Sequence, residues 1–276
     1  MRKRILDLID LLGFDDNFKS FVTDFTFSDL DSNVFAEGVD LSDYSDLDYL
    51  EFALFKLAGL YSEYRKRDIS DQVFIDSLAD LVYRVNRYYL ANGRYGLSAH
   101  DMKWLAYIYR METFALGSLR YRKYHVTYSE LERFGDEHLV LSDAAKEVLY
   151  EGRNVVYIHI PTGANLISQA VDESLALARV FFQDHFAEFE YDLFISRTWL
   201  LYPGLSEFMS LDSNIIKFLD RFEIVASHNN PKQAFARIYG TSDLLAINEM
   251  NKTSSLMKSA YLNIDNLGVG IGIIRR

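Results

Sequence analysis

The sequence contains no cysteine. Disulfides, thiolate nucleophiles and cysteine-ligated metals are therefore excluded, and a cytoplasmic protein fits a chain without disulfides. Proline is scarce, and Pro161, Pro203 and Pro231 all fall in the second half. No apolar run reaches the ~18 residues that a membrane-spanning helix needs. The opening Arg2-Lys3-Arg4-Ile5-Leu6 is basic and then apolar, but Asp7 and Asp10 interrupt the apolar stretch. It reads as an amphipathic helix and not as a leader. Positive charge is also in short supply: 29 Lys and Arg stand against 40 Asp and Glu, a net charge of −11. Such a chain is not built mainly to neutralise nucleic-acid phosphates, although a local basic pocket is still compatible with it. Neither nucleic acid nor membrane is an expected partner. The six histidines show no close ligand spacing, so no metal is expected. Walker A, G-x-S-x-G and H-E-x-x-H patterns are missing too.

What is present is a chain of 276 residues, 49% apolar and 15% aromatic, enough for one large domain or two ordinary ones. Before Phe134 the pattern is helical. Leu47, Leu50, Leu54, Leu57, Tyr61 and Tyr64 recur at spacings of three and four, as do Phe74, Leu78, Leu81, Val85 and Tyr88. Each set makes one apolar stripe. A short helix over Arg4–Leu12 ends at Gly13, and another is predicted over Ala99–Leu119 with Ser98 as its N-cap. The acidic stretch Asp40–Asp48 reads as a loop whose carboxylates suit the start of the next helix. A bundle of four or five helices is expected over residues 1–133.

Near Phe134-Gly135-Asp136 the pattern changes, and short apolar runs begin to alternate with helical ones. Strands are predicted at Val155–Ile160, Tyr191–Leu201, Phe222–Ser227, Ala234–Tyr239 and Leu267–Ile274. Helices are predicted at Ser168–Phe186, after Leu205 with a fresh N-cap near Ser213, and at Asn251–Leu262. Residues 134–276 therefore read as an α/β domain, and the whole chain as α+β: an N-terminal helical bundle followed by a mixed-sheet domain. Gly268, Gly270 and Gly272 precede no helix, so they read as places where other backbone comes close and not as a dinucleotide fingerprint.

The stretch His159-Ile160-Pro161-Thr162-Gly163-Ala164-Asn165-Leu166 joins a strand to a helix. The N–H groups of a helix start suit phosphate oxygens, and Gly163 and Ala164 would let a ligand near the backbone. A tight turn with no ligand reads the same way.

His159-Ile160-Pro161, the helix carrying Phe181-Phe182, Trp199-Leu200-Leu201-Tyr202-Pro203 and Ser213-Asn214-Ile215 occur in that order. With them the chain resembles, over essentially its whole length, a bacterial family of acyltransferases. Those proteins pair a helical N-acyltransferase N-terminal domain with a GNAT-like C-terminal domain. The resemblance implies an N-acyltransferase that moves an acyl group from acyl-CoA, with acetyl-CoA as one candidate donor, to an amine by direct attack. It implies that Val155–Ile160 pairs with the pantetheine arm and that Tyr191–Leu201 splays from it. The pyrophosphate loop, and so the cofactor-binding residues, would be Ile160, Pro161, Thr162, Gly163, Ala164 and Asn165. This loop keeps one glycine of the superfamily pattern (Gln/Arg)-x-x-Gly-x-(Gly/Ala), lacks the residue at its start, and loses one backbone donor at Pro161.

Within that reading His159 is the candidate base, since imidazole titrates near neutrality; the alternative is a structural histidine bonded to the loop. Tyr202 is a candidate acid for the departing thiolate, or else caps its turn. Trp199 lines the acyl or acceptor pocket, or is a core aromatic. Ser213 and Asn214 cap a helix, with pocket lining as the other role of Asn214. Asp172 and Glu173 are placed in the first turn of the helix, where they would oppose pyrophosphate. Arg120-Tyr121-Arg122-Lys123-Tyr124-His125 is a basic patch for a CoA 3′-phosphate or another acidic partner, or a solvated face at the end of the bundle. The expected acceptor is a small-molecule or peptide amine. An acyl-carrier protein is an alternative donor, and a non-catalytic binding module on the same fold is the alternative function.

Overall fold

The computed structural model describes residues 2–27, 34–36, 38–40, 42–134 and 137–276. Leu41 of the acidic stretch, and Gly135 and Asp136 where the pattern changes, lie outside them. The chain divides into two compact units, Met1–Leu116 and Gly117–Arg276, whereas the change in sequence pattern falls at Phe134.

The first unit is helical: α1 (Arg2–Leu11), α2 (Asp16–Asp24), α3 (Asp46–Lys66), α4 (Asp71–Asn92) and α5 (Ala99–Tyr109), ending in strand β1 (Thr113–Leu116). Helices α2 to α5 start where a side chain takes an orphan N–H. Ser45 and Asp48 form a capping box on α3, and Ser98 and Asp101 form one on α5. The α4 stripe Phe74, Leu78, Leu81, Val85 and Tyr88 is buried in full. On α3 the buried stripe starts at Tyr49 and Leu50, and Leu47 is exposed. The expected helix over Ala99–Leu119 is corrected: α5 stops at Tyr109, and Met111 takes a left-handed φ of 55° that reverses the chain. Thr113–Leu116 then runs as a wholly buried strand.

The second unit begins with β2 (Leu119–His125), α6 (Tyr128–Leu131), the short strands β3 (Arg133–Phe134) and β4 (Glu137–His138), and α7 (Asp143–Val148). Then come β5 (Asn154–His159), α8 (Ser168–His185) and β6 (Leu193–Thr198), followed by 3-10 turns at Trp199–Leu201 and Pro203–Glu207. It ends with α9 (Asn214–Leu219), β7 (Glu223–His228), α10 (Lys232–Tyr239), α11 (Leu244–Glu249), α12 (Ser255–Leu262), a 3-10 turn at Ile264–Asn266 and β8 (Val269–Arg275). Its strands lie side by side in the order β2-β5-β6-β8-β7. Only β5 and β6 are parallel, and α8 is the crossover a parallel pair requires.

Two predicted strands are corrected. Ala234–Tyr239 is helix: Phe235 and Tyr239 are buried four residues apart, and Gly240 ends α10 at φ +78°. Tyr191–Leu201 is strand only over Leu193–Thr198, after which the chain coils into a 3-10 turn. Helix α11 is additional to those expected.

The sheet has two faces because side chains alternate. Val155, Tyr157, Ile195, Ile271 and Ile273 form one core with Leu131 and Leu149. On the other face Tyr121 bonds Ser174 of α8 across 2.9 Å, and Val171, Leu175, Ala178 and Phe182 are buried along the same helix. Full burial of such apolar side chains contributes about 2 kcal/mol each.

Candidate functional site

The parallel ladder between β5 and β6 is short. It pairs Val156 with Phe194 and Tyr157 with Ile195, although β5 runs on to His159 and β6 to Thr198. Beyond Tyr157 the buried Ser196 hydroxyl donates to the Ile158 carbonyl at 2.9 Å. A side chain thus holds a carbonyl that a continuing ladder would give to a backbone N–H. The paired ladder between the two strands thus stops short of both C-terminal ends.

At the end of β5 the chain turns into α8. The Ala164 N–H donates to the Pro161 carbonyl at 3.1 Å, and Gly163 takes a φ of +79°. That value is the reason for glycine here, because a Cβ at Gly163 would meet nothing. The Asn165 side chain accepts from the Ile167 N–H at 3.2 Å. Ile167 stands at the N-cap of α8 with no side-chain cap bond. The first-turn donors of this 18-residue helix are therefore left to other partners. The placement of Asp172 and Glu173 is corrected, since no acidic residue lies in that first turn. Asp172 is paired with the Arg221 guanidinium at 3.0 Å, and Glu173 accepts from Gln169. The helix start is thus less acidic than the sequence implies.

The basic patch is corrected most. It is strand β2, not the end of a bundle, and Arg122 is 3% exposed. Antiparallel pairing puts Arg120 opposite His159 and Arg122 opposite Tyr157. Arg197, two residues beyond Ile195 on β6, shares their face of the sheet. The His159 ring stacks on Tyr157 at 4.5 Å. The Arg122 guanidinium lies over the rings of Tyr124 and Tyr157 and donates to Glu130 at 2.6 Å. Arg197 donates to the carbonyls of Glu130, Leu131 and Arg133 at the end of α6. Burial, then the charges of Arg122, Arg120 and Arg197, hold the His159 imidazole well below its usual pKa. It is therefore neutral at pH 7. Arg120, Arg122, Arg197 and Ser196 were not singled out from the sequence as parts of a site at the β5 end. The alternation Arg-Tyr-Arg-Lys-Tyr-His in β2 was the available signal, since it matches a strand with one cationic face.

The other expected residues follow the same end of β6. Trp199 is buried, and its backbone N–H donates to Gln233 at 2.7 Å. The ring of Tyr202 lies where a Cβ on Gly204 or Gly268 would stand, at 2.7 and 2.5 Å. A Cβ on Gly270 would fall 2.0 Å from the Leu201 carbonyl oxygen. These glycines admit the 3-10 turns onto β8, as close backbone approach requires. Ser213 caps α9 through its hydroxyl, and Asn214, the first residue of that helix, is exposed. Helix α9 packs against the Trp199–Leu201 turn. The structure thus gathers His159, the 160–165 loop, Trp199 and Tyr202 at the C-terminal ends of two adjacent parallel strands, with Asn214 on a flanking helix.

Residues 113–272 match the family model of the GNAT-like C-terminal domain, and residues 15–111 match that of the N-acyltransferase N-terminal domain. The chain belongs to this two-domain N-acyltransferase family. Solved structures share its fold. One is an acyltransferase in complex with decanoyl-CoA and teicoplanin, with 18% identity and a TM-score of 0.70 over 98% of this chain and 86% of that one. Another is an acyltransferase mutant in complex with octanoyl-CoA, with 18% identity and a TM-score of 0.71 over the same shares. A third, an acyltransferase in complex with decanoyl-CoA, has 21% identity and a TM-score of 0.69 over 97% and 86%. The comparison with curated proteins gives no match. Among the described residues no helix is long and apolar enough to cross a membrane.

Proposed function

We propose that this N-acyltransferase-family protein transfers an acyl group from acyl-CoA to an amine by direct attack, with the donor site at the unpaired C-terminal ends of β5 and β6. The single observation that carries this reading is that the β5–β6 ladder ends at Tyr157 and Ile195, short of both strand ends. An extended pantetheine arm has amide groups that can pair with strand backbone where the ladder has ended. The acyl-CoA complexes of fold relatives support the same donor.

In this reading the loop Ile160-Pro161-Thr162-Gly163-Ala164-Asn165 and the uncapped start of α8 hold the pyrophosphate through backbone N–H groups. Pro161 supplies no donor, so the load falls on the residues after it. His159 takes the proton from nitrogen. The cations around it weaken it as a base, but they also keep it unprotonated and ready. Attack joins the amine nitrogen to the thioester carbon. The oxyanion then collapses and expels the CoA thiolate, which Tyr202 protonates. Trp199 and Asn214 stand on the acyl and acceptor side. Teicoplanin in a fold relative's complex favours a small-molecule acceptor.

A thermal-shift titration with CoA, acetyl-CoA and decanoyl-CoA tests the donor site. A ligand that binds only the folded state adds about 2.7 kcal/mol at 100 times its Kd. A saturable shift that Ser196→Val diminishes supports a donor site at the β5–β6 ends. No shift with any thioester at millimolar concentration overturns the reading. If acyl-CoA binds and His159→Gln leaves turnover intact, the base lies elsewhere.

A further inference from the structure

We propose that Gln233 is a positioning residue of the donor site: its carboxamide fixes the turn that carries Trp199 at the end of β6, and so sets which acyl-chain lengths the protein accepts. The inference rests on the acyl-transfer reading, in which Trp199 stands on the acyl side, and names the residue that governs specificity at the same site.

Strand β6 ends at Thr198, and the chain coils at once into the 3-10 turn Trp199–Leu201. The first N–H groups of such a turn have no partner within it. Leu200 finds one next door, since its N–H donates to the Thr198 hydroxyl at 3.3 Å. Trp199 is served from 34 residues away, its N–H donating to Gln233 Oε1 at 2.7 Å. Gln233 follows Lys232, the first residue of α10. Helical side chains lean toward the N-terminus, so a long side chain at that position reaches past the helix start. Ala234 and Phe235 are both buried and seat this end of α10, which packs against the Trp199–Leu201 turn. A backbone N–H can only donate, so the carboxamide oxygen must face it. What the bond requires of residue 233 is an acceptor at the right reach.

Trp199 is 8% exposed, so its N–H would be costly to leave unpaired. Main chain that moved to escape that cost would carry the indole with it. An indole held through its own backbone is a fixed wall, and a fixed wall sorts acyl chains by length because each methylene either fits or does not. A wall that yields sorts them poorly.

Acetyl-CoA, octanoyl-CoA and decanoyl-CoA are titrated by calorimetry against the native protein, Gln233→Met and Gln233→Glu. Gln, Met and Glu have similar helix propensities, so the exchanges spare α10. Met removes the acceptor and Glu keeps it. The native protein should separate the donors, Gln233→Met should move the ratio of their Kd values at least about fivefold toward one, and Gln233→Glu should restore it. The chain has two tryptophans, so in a Trp104→Phe background the emission reports Trp199 alone. That emission should shift with decanoyl-CoA in the presence of Gln233 and of Gln233→Glu, and respond less in Gln233→Met. A merely structural tie would lower the Tm of Gln233→Met and leave the ratio and the emission response unchanged, which overturns the inference. A native protein that binds all three donors equally, or a Gln233→Glu that restores nothing, overturns it too. In each of these cases acyl-CoA still binds and the donor reading stands, whereas no binding of any thioester defeats that reading itself. Should Gln233→Met not fold, Gln233→Asn, which shortens the reach by one methylene, is judged by the same criteria.

Discussion

Helices α2 to α5 of the first unit each start on a side-chain cap, whereas α6, α8 and α10 of the second have none. Helices α2, α3, α4 and α5 each begin with a side chain, Asp15, Ser45, Ser70 or Ser98, that accepts a first-turn N–H. Helix α8 begins at Ile167 with no such bond, although a good cap adds about 1 kcal/mol. The charges are arranged differently too. In the first unit Asp101 is 2% exposed and meets Arg84, Arg87 and the Ser98 hydroxyl. In the second, three arginines gather around a neutral histidine. Groups spent on their own chain hold a fold together, whereas a long helix start without a side-chain cap is where a ligand can act.

The largest effect is expected at the satisfied end. Asp101→Ala leaves partly buried Arg84 without its carboxylate and removes the capping box. It should cost about 3 kcal/mol in urea unfolding, with acyl-CoA affinity unchanged. A small cost would mean that the first unit's charges are not what closes it. The same group sets a pH dependence. Burial raises the Asp101 pKa, but Ser98, Arg84 and Arg87 outweigh it and hold the carboxyl below its usual value. A depressed folded pKa gives stability above the unfolded value of about 3.9, and that stability is lost as pH falls through the folded one. Asp101→Asn should therefore flatten the acid limb of a stability–pH curve below about pH 4.

Next comes Gly270→Ala, where the new Cβ would meet the Leu201 backbone at 2.0 Å. It should cost about 1–3 kcal/mol and disturb Trp199, which intrinsic fluorescence reports. Smallest, and most direct, is Ile167→Ser. Ile167 already has the extended backbone of an N-cap. The serine should stabilise the protein by about 1 kcal/mol and weaken acyl-CoA binding, because the helix would then supply its own acceptor. Stabilisation without loss of affinity would show that phosphate is held elsewhere.

Much of this architecture is legible in the sequence. The α4 stripe, the strand–loop–helix at 154–185 and the Ser213 cap stand where periodicity and cap chemistry put them. The failures have definite causes. Ala-Phe-Ala-Arg-Ile-Tyr alternates like a strand, but six residues are too few to separate a period of two from one and a half helical turns. No glycine marks the end of α5, because Met111 carries the positive φ instead. The Arg120–Arg122–His159–Arg197 cluster depends on which residues stand opposite one another across strands distant in sequence. Composition and spacing along one chain do not encode that register.

Strand β8 lies between β6 and β7, yet it follows both in the sequence, separated from β7 by residues 229–268. While the chain is being made, β6 and β7 therefore emerge with open edges and wait through three helices for the strand that joins them. Unpaired edges are templates for association with other chains, and contacts so distant in sequence form slowly. The interval before β8 arrives is when a nascent chain is most exposed to aggregation. A variant that weakens this late insertion would therefore lower the yield of folded protein more than its equilibrium stability implies.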